Sequence, residues 1–446
     1  MYIKKIENLF YNKIKVEIEP SKLDINSTSF IIKCKNKVYR NLNLEIQKHI
    51  NLFCFNDSNE KISLYDCSVV INQLTNNFIT SFKIIYNKII IGNHFERLDN
   101  IYIDSMDAII DNSVVTYRTG ISNNNWNIDN YTIHTEWNKN INCKFDGVKI
   151  SIKSNNEKSS LEKYLYVFDN IICIFYLSMG FFPDKKEIIL NIDNKKCLYI
   201  NPNESLYLTS DSINIISELN FDLSNFPIIY KKWNAFYIKN LTMLHMYFDI
   251  QKSHNFEEVK TFNYIQCLEA LFTNNIYEQL FSDSYKEKIK TNFREYLSKD
   301  KKNNLVKELL KTINDINKNG NVYTYEMLTD TLQGKLNDIN EMSLNKKINN
   351  IFENEYAKLI FKYEDGNNII KFIKEKTYNH RNFMAHINKN TKYFIGDENK
   401  LMQNKFKLLI RVIIMSLIDM NIDDECLKKY ISYINNWYKD NKFLIK

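Results

Sequence analysis

The sequence predicts an α+β protein, in which a β-rich N-terminal domain over residues 1–230 precedes a helical domain over residues 231–446. Three observations predict this division. All four prolines lie at or before Pro227, and a long stretch without proline suits helices. Apolar residues alternate with polar ones before that point, which is typical of strands, and they follow a helical period after it.

The alternating segments of the first half predict antiparallel strands that form a sandwich or an open barrel. They cover residues 14–18, 29–34, 62–71, 79–91, 131–137 and 148–152. Ser159 to Glu162 has the pattern of a capping box, which predicts a helix that begins there and ends at Gly180. Short strands over 187–192 and 197–200 complete this half.

Apolar residues recur at intervals of three and four from Trp233 onward, which predicts amphipathic helices in the second half. The first two helices run through residues 233–248 and 262–272. Further helices are expected over about 305–316, 348–361, 369–386 and 401–420. The polar stretches between them predict loops.

Length and composition indicate a globular protein with at least two domains, since 446 residues exceed one ordinary domain and 44% of them are hydrophobic. The formal charge of +7 permits a nucleic-acid partner without requiring one. The eight cysteines include no C-x-x-C pair, which argues against a zinc knuckle or a disulfide framework. We therefore expect a soluble cytoplasmic protein with no membrane association, because the longest apolar run, over 171–182, is too short to cross a bilayer.

The most informative motif is Arg381-Asn382-Phe383-Met384-Ala385-His386, because the chain contains only six arginines among its 60 basic residues. Between residues 371 and 392, five lysines and Arg381 face a single acid, Glu375. Such a field attracts phosphate, and a guanidinium, an amide and an imidazole together can cleave a phosphodiester without a metal. The sequence therefore predicts a phosphate-handling site here.

The spacing of this motif also bears on assembly. On a continuing helix, Arg381 shares a stripe with apolar residues such as Ile373, whereas His386 lies about 140° away around the axis. The two side chains can meet on one phosphate through the reach of the arginine, a distorted turn or a second subunit. A homodimer is therefore expected on geometric grounds.

An architectural interpretation stays open beside the catalytic one. Arg381 could pair with a buried acid such as Glu269, which lies within an apolar helical face, and His386 could be a hydrogen-bonded residue at a helix end. His380, next to the motif, is expected to face solvent more often than to act as a ligand. Glu269 is expected to be structural.

The motif resembles the R-x4-6-H signature of HEPN-domain ribonucleases, in which a polar residue often follows the arginine. Three further segments resemble the ApeA-like branch of that family, which acts in bacterial anti-phage defence. They are Trp233-Asn234-Ala235-Phe236-Tyr237, the segment 262–271 with its Leu268-Glu269-Ala270-Leu271 core, and the apolar segment 408–414. The resemblance covers about residues 230–440 and implies an all-α HEPN-like bundle. The first half is similar to that branch's N-terminal domain in size, pattern and order, and is expected to be a sensor or regulator.

The resemblance implies a metal-independent endoribonuclease that uses no cofactor and acts by abortive infection. The 2′-hydroxyl of the RNA would attack the neighbouring phosphate, with His386 as general acid or base, Arg381 stabilising the transition-state charge and Asn382 orienting the imidazole or the phosphate. Glu269 and His380 would support these residues. Lys376, Lys389 and Lys392 would bind RNA, for which tRNA is one candidate, and a phage-derived component could be the trigger.

Two other functions stay open from the sequence. The helical domain could be a dimerising RNA- or nucleotide-binding scaffold without catalytic activity. Alternatively, the β-rich half could bind a carbohydrate or a protein through aromatic residues, including Trp126 and Trp137 in Asn-rich loops, although such tryptophans more often belong to the core.

Overall fold

The computed structural model describes most of both halves of the chain. The described residues are 3–11, 14–24, 29–39, 47–56, 60–75, 78–95, 98, 101–111, 124–138, 147–155, 157–180, 182, 184–201, 219, 225–252, 256–275, 287–292, 295, 307–308, 310–311, 313–314, 327, 343–362, 368–386 and 393–437. Antiparallel strands come first and helices follow, which confirms the α+β class.

The chain divides into two compact units that are not simple halves of the sequence. The first unit comprises Met1–Leu241, Phe248–His254 and Arg411–Lys446, and the second comprises Thr242–Tyr247 and Asn255–Ile410. The division of the chain at residue 230 into a sensor and a nuclease domain stays a prediction.

The described strands of the first unit all lie within its N-terminal segment, before residue 201. They are β1 (Ile3–Tyr11), β2 (Ile14–Asp24), β3 (Ser29–Tyr39), β4 (Gln47–Asn56), β5 (Lys61–Thr75), β6 (Phe78–Ile85), β7 (Lys88–Ile91), β8 (Tyr102–Ile103), β9 (Ser105–Asp111), β10 (Asn124–Ile128), β11 (Tyr131–Asn138), β12 (Gly147–Ser154), β13 (Ser159–Ser160), β14 (Asp184–Ile192) and β15 (Lys195–Ile200). All of the residue pairings between them are antiparallel.

Six of these strands close into a ring, in the order β5-β4-β1-β2-β3-β6 and back to β5. Of the two architectures expected, a sandwich or an open barrel, this arrangement corresponds to the barrel, and it is closed. The remaining strands extend from β5 as an open sheet, in the order β7-β15-β14-β9-β12-β11-β10. In β12, Val148, Ile150 and Ile152 are fully buried and the residues between them are not, as the alternation predicted.

Strand β5 joins the ring to the open sheet because it changes partner along its length. Its first part pairs with β7 from Ile62 to Tyr65, and its second part pairs with β6 from Ser68 onward. Asp66, between the two parts, has a left-handed φ of 52°, and the amide of Asn87 donates a hydrogen bond to its carboxylate. An irregularity of this kind bends a strand and redirects its pairing.

Helix α1 (Leu161–Met179) follows β13 and is nearly as the sequence predicted. It ends at Gly180, whose φ of 83° is left-handed and whose N–H donates to the carbonyl of Tyr176. The capping box is not formed, since Ser160 occupies the N-cap position without a side-chain hydrogen bond to the helix. Ser159 and Ser160 instead pair with β8.

The helical part of the chain begins at Phe226, a few residues before the predicted start of the helical domain at residue 231. They are α2 (Phe226–Lys239), α3 (Leu241–Lys252), α4 (Glu257–Asn275), α5 (Leu344–Glu353), α6 (Glu355–Ile360), α7 (Asn368–His386), α8 (Gly396–Leu417) and α9 (Asp424–Trp437). The single helix expected over 348–361 is two helices, because Asn354 leaves helical geometry (ψ 140°) and caps α6 through the N–H of Tyr356. Of the helix expected over 305–316, half of the residues are described, and these, 307–308, 310–311 and 313–314, are helical.

Helix α2 belongs to the core of the first unit, where it packs on α1 and β10. Trp233 is fully buried, and its indole N–H donates to Asn170 Oδ1 of α1 over 2.7 Å. Trp126 lies in β10 and packs on Phe226 with ring centroids 4.4 Å apart. Trp126 and Trp137 therefore lie in strands, not in the loops that the sequence suggested, and Trp126 is a core residue with 6% exposure.

Helix α8 carries a buried arginine in its first-unit part. Arg411 is 1% exposed, and its guanidinium donates to the carbonyl oxygens of Leu177 and Ser178 at the end of α1. A buried guanidinium must be satisfied in this way, since leaving it without acceptors is costly.

In the second unit, α4, α5 and α7 pack against one another, and α6 packs on α5. Their buried apolar residues include Leu268 and Leu271 of α4, Ile348 and Ile351 of α5, and Ile373 of α7. None of the helices in the described part of the chain has the length and hydropathy that a membrane crossing requires.

Candidate functional site

The predicted motif occupies the C-terminal end of α7, within the three-helix packing of the second unit. Residues 381–386 are the last six of the helix as described. The buried side of α7 is formed by Ile373, Thr377 and His380, each 2% exposed or less. Arg381 lies beside this buried stripe and is half-buried, whereas the sequence predicted that it lies on the apolar stripe itself.

Arg381 is held by two contacts from α4. Its Nε donates to Glu269 Oε1 over 3.3 Å, which is the pairing that the architectural interpretation expected. Its guanidinium carbon lies 5.9 Å from the centroid of the Phe262 ring. The arginine side chain is 26% exposed, so the group is positioned but still reachable by solvent.

Glu269 is the more buried partner of this pair, with 13% of its side chain exposed. Burial raises the pKa of Glu269 above its usual range, and the nearby cations Arg381 and Lys347 oppose that rise without cancelling it. The carboxylate therefore depends on Arg381 for part of its compensation, and the two groups orient each other.

His380 is fully buried, so the expectation that it faces solvent is wrong. Its Nε2 lies 2.9 Å from the carbonyl oxygen of Glu258, and its ring lies against Phe394 with centroids 5.7 Å apart. Nδ1 has no hydrogen-bond partner among the described residues. Burial lowers the pKa of His380, mainly by removing the water that would solvate an imidazolium. Its place in the packing explains the error, since it lies three residues after Thr377 on the buried stripe.

Lys376 is held in a buried ion pair instead of standing free at the surface. Its ammonium lies 2.7 and 2.6 Å from the two carboxylate oxygens of Glu398 and 4.7 Å from the centroid of the Phe372 ring. Glu398 is 6% exposed. The pair joins α7 to the first turn of α8, and the RNA-binding role assigned to Lys376 stays a prediction.

The last turn of α7 is covered on one side by an aromatic stack. Phe383 and Tyr393 lie face to face, with centroids 4.0 Å apart and planes 8° apart. Asn382 and Met384 are half-buried, and Ala385 is exposed. Lys389 and Lys392, predicted to bind RNA, lie outside the described residues.

The helix continues through His386, which fixes the relation between the two ends of the motif. Residues five apart on an α-helix are separated by about 140° around the axis and about 7.5 Å along it. The backbone positions of Arg381 and His386 therefore do not converge on one side of α7.

The sequence did not identify Phe262, Lys347 or Tyr393 as parts of this site. Phe262 lies seven residues before Glu269 on α4, and that two-turn spacing puts both on one helical face. This spacing is the feature of the sequence from which the role of Phe262 could have been predicted. Lys347 and Tyr393 reach the site from elsewhere in the chain, and no local pattern marks them.

The described geometry defines a helical unit with an oriented, half-buried arginine at the end of a helix. No group of three or more His, Cys, Asp or Glu side chains with the arrangement of a metal site occurs in the part of the chain that the structure describes. Comparisons with protein-family models, with curated proteins and with solved structures found no match to this chain.

Proposed function

We propose that this protein is a HEPN-type, metal-independent endoribonuclease whose catalytic residues are Arg381, Asn382 and His386. The observation that carries the proposal is the state of Arg381: it is oriented by Glu269 and Phe262 and remains partly open to solvent. Arg411, by contrast, is 1% exposed, and its guanidinium donates to the carbonyl oxygens of Leu177 and Ser178 within the core.

In the proposed reaction the 2′-hydroxyl of the RNA attacks the adjacent phosphorus, and the bond to the 5′-oxygen of the next nucleotide breaks. His386 takes the proton of the 2′-hydroxyl or gives one to the leaving 5′-oxygen, since an imidazole titrates near neutral pH. Arg381 stabilises the negative charge that grows on the non-bridging phosphate oxygens. The products are a 2′,3′-cyclic phosphate and a 5′-hydroxyl, and no metal is needed because the nucleophile belongs to the substrate.

The cleavage test compares purified wild-type protein with His386→Ala and Arg381→Ala on total RNA, with end mapping of the products. Each substitution should lower cleavage by about a hundredfold or more, as the loss of a transition-state contact does. Two controls remove a histidine and an exposed cation away from the motif: His134→Ala on β11, and Lys358→Ala on α6. Cleavage that persists in a folded His386→Ala protein would contradict the proposed site.

The proposed role is anti-phage defence by abortive infection, with RNA as target and a phage-derived trigger. Cells that express the wild-type chain should survive phage challenge as a population better than cells that express His386→Ala. Equal protection by the two proteins would separate any defence role from RNA cleavage.

A second candidate function is a non-catalytic RNA-binding scaffold, and the Arg381–Glu269 ion pair favours it, because one donor of the guanidinium is already used within the chain. Gel-shift and cleavage assays on the same RNA distinguish the two. Binding without cleavage, insensitive to His386→Ala, would support the scaffold.

A further inference from the structure

A cleft opens in the first unit, and it shares no residue with the site on α7. It lies between the β10–β11 turn, the segment that joins β12 to α1, and the helices α1 and α2. Its volume is about 410 Å³. Small-molecule sites in proteins typically have volumes of roughly 300–1,000 Å³, so the cleft is large enough for one small ligand.

The floor of the cleft is aromatic and rigid. Tyr131 and Tyr230 are 9% and 2% exposed, and Val167 lies beside them with 6% exposure. The Tyr131 hydroxyl shares a hydrogen bond of 3.0 Å with Ser159 Oγ, and its ring meets the buried Tyr164 edge to face at 5.3 Å. These residues form the buried base of the cleft, and Tyr166, which is 41% exposed, supplies the accessible aromatic ring that can pack against the C–H face of a ligand ring.

The rim of the cleft carries hydrogen-bonding groups of both kinds. Asp129 and Glu157 offer carboxylate acceptors, and Lys163 offers an ammonium donor. Asn130 adds an amide, and the Tyr166 hydroxyl donates to Asn234 Oδ1 over 2.5 Å. That bond orients the Asn234 amide, so that its NH₂ group can donate to a ligand.

Hydrogen bonds within the chain also hold the β10–β11 turn of the rim in place. Asp129 has a left-handed φ of 48°, which Asp and Asn adopt more readily than other side chains. The N–H of Asn155 donates to the carbonyl of Asn130 over 2.8 Å, and the Thr132 hydroxyl donates to Asn155 Oδ1 over 2.6 Å. The turn is therefore fixed without a ligand, and little ordering is needed for binding.

The charges of the rim argue against a phosphorylated ligand. Lys158 lies 3.5 Å from Asp104 and is also paired with Asp193, so its charge is already compensated. Lys163 is the other cation of the lining, which also contains the carboxylates of Asp129 and Glu157. A cleft of this balance does not attract polyanions.

We propose that this cleft binds a neutral, polyhydroxylated ring, such as the ring of a saccharide or the ribose of an unphosphorylated nucleoside. Neighbouring hydroxyls each donate one hydrogen bond and accept others, so a carboxylate beside an amide or an ammonium complements them. The exposed ring of Tyr166 covers the C–H face of the ligand ring. This site is independent of the proposed RNA chemistry.

A second hollow of about 680 Å³ adjoins the cleft and provides the control. It shares Ile128 and Asp129 with the cleft, but Pro227, Ile228 and Lys231 replace the polar rim. Lys231 is exposed and does not line the cleft. Lys231→Ala therefore changes the neighbouring surface while leaving every group of the proposed site in place.

The test is isothermal titration calorimetry of the full chain with glucose, N-acetylglucosamine, maltose, adenosine and ATP as probes. At least one neutral probe should bind saturably, and ATP should bind more weakly than adenosine. Asn234→Ala should raise the Kd of that probe at least tenfold, and Asp129→Asn, which preserves the turn, should raise it several-fold. Lys231→Ala should leave it unchanged, and thermal melts should show that each variant is folded.

Three results would overturn the proposal. They are the absence of any neutral probe with a Kd below about 1 mM, tighter binding of ATP than of adenosine, and a Kd that neither Asn234→Ala nor Asp129→Asn alters. RNA cleavage should also be measured on the same variants. Because these substitutions leave the α7 residues intact, failure of the cleft proposal can be distinguished from failure of the proposed RNA cleavage.

Discussion

At the scale of single residues, His380 couples the packing of α7 to pH. Because burial lowers its pKa in the folded chain, the unfolded chain takes up a proton more readily below the ordinary value of 6.5. The stabilising contribution of the neutral imidazole is therefore present above that pH and is lost as the pH falls through it.

We expect the difference in melting temperature between wild type and His380→Gln to shrink as the pH falls from about 8 to about 5. Glutamine can still reach the carbonyl of Glu258, but it does not titrate. Differential scanning fluorimetry across that range measures the effect, with His134→Gln, whose ring is 39% exposed, as the control. A difference that stays constant with pH would show that His380 is not the titrating group.

For Glu269, the dependence of folding stability on pH has the opposite sign. Its pKa is raised in the folded chain, so the folded state holds the proton more tightly. The stability of the wild type therefore falls as the pH rises from the ordinary value of 4.5 towards the raised one. Glu269→Gln removes this dependence together with the ion pair.

We expect Glu269→Gln to change the free energy of unfolding near pH 7 by less than about 1 kcal/mol, because Arg381 is partly solvated. RNA cleavage should fall about tenfold, mainly in kcat, because the guanidinium loses its orientation. Urea melts and steady-state kinetics measure the two effects, and Glu375→Gln on the exposed face of α7 is the control. Unchanged kcat would exclude a positioning role for Glu269.

At the scale of elements, the missing side chain of Gly92, directly after β7, allows β15 to approach closely. Its φ of 116° is strained for any other residue, and a Cβ there would lie 3.0 Å from the carbonyl oxygen of Lys196 and 3.3 Å from Cys197 Sγ. Gly92 also donates its N–H to the carbonyl of Lys61 over 2.8 Å, so it cannot move away freely.

Gly92→Ala should therefore lower the free energy of unfolding by about 2–4 kcal/mol, from backbone strain and overpacking together. Gly396→Ala is the matched control: its φ of 56° is also left-handed, but nothing lies within 4 Å of the added Cβ. The control should cost only about 1 kcal/mol. Chemical denaturation of both variants tests the difference, and equal losses would remove close packing as the cause.

Local patterns predicted most strands and helices of the described chain, because alternation and helical period depend only on neighbouring residues. They did not predict that β5 changes partner at Asp66, or that α2 packs into the first unit through Trp233. Both depend on residues far apart in sequence. At the candidate site the Arg381–Glu269 pair followed from its residue types, whereas the burial of His380 depended on Phe394 and Glu258 of other segments.

At the scale of the whole molecule, we expect the proposed enzyme to act as a homodimer. The backbone of α7 places Arg381 and His386 on different sides of one helix, and a two-fold dimer can bring both residues to one phosphate. Mixed Arg381→Ala and His386→Ala subunits should then regain part of the wild-type cleavage, because one composite site is intact. Light scattering at assay concentration should show a dimer, and an active monomer would exclude the shared site.

The anchoring of Arg411 on the end of α1 sets an order of events during synthesis. Its acceptors on Leu177 and Ser178 are translated more than 230 residues earlier, since the separations are 234 and 233 residues. The growing chain can form the strands before Arg411 is synthesised. The carbonyl groups at the end of α1, however, acquire their buried hydrogen-bond donor only once Arg411 has been added. The first unit therefore completes its core only after the second unit has been synthesised, so a ribosome that stalls within residues 255–410 leaves both units unfinished.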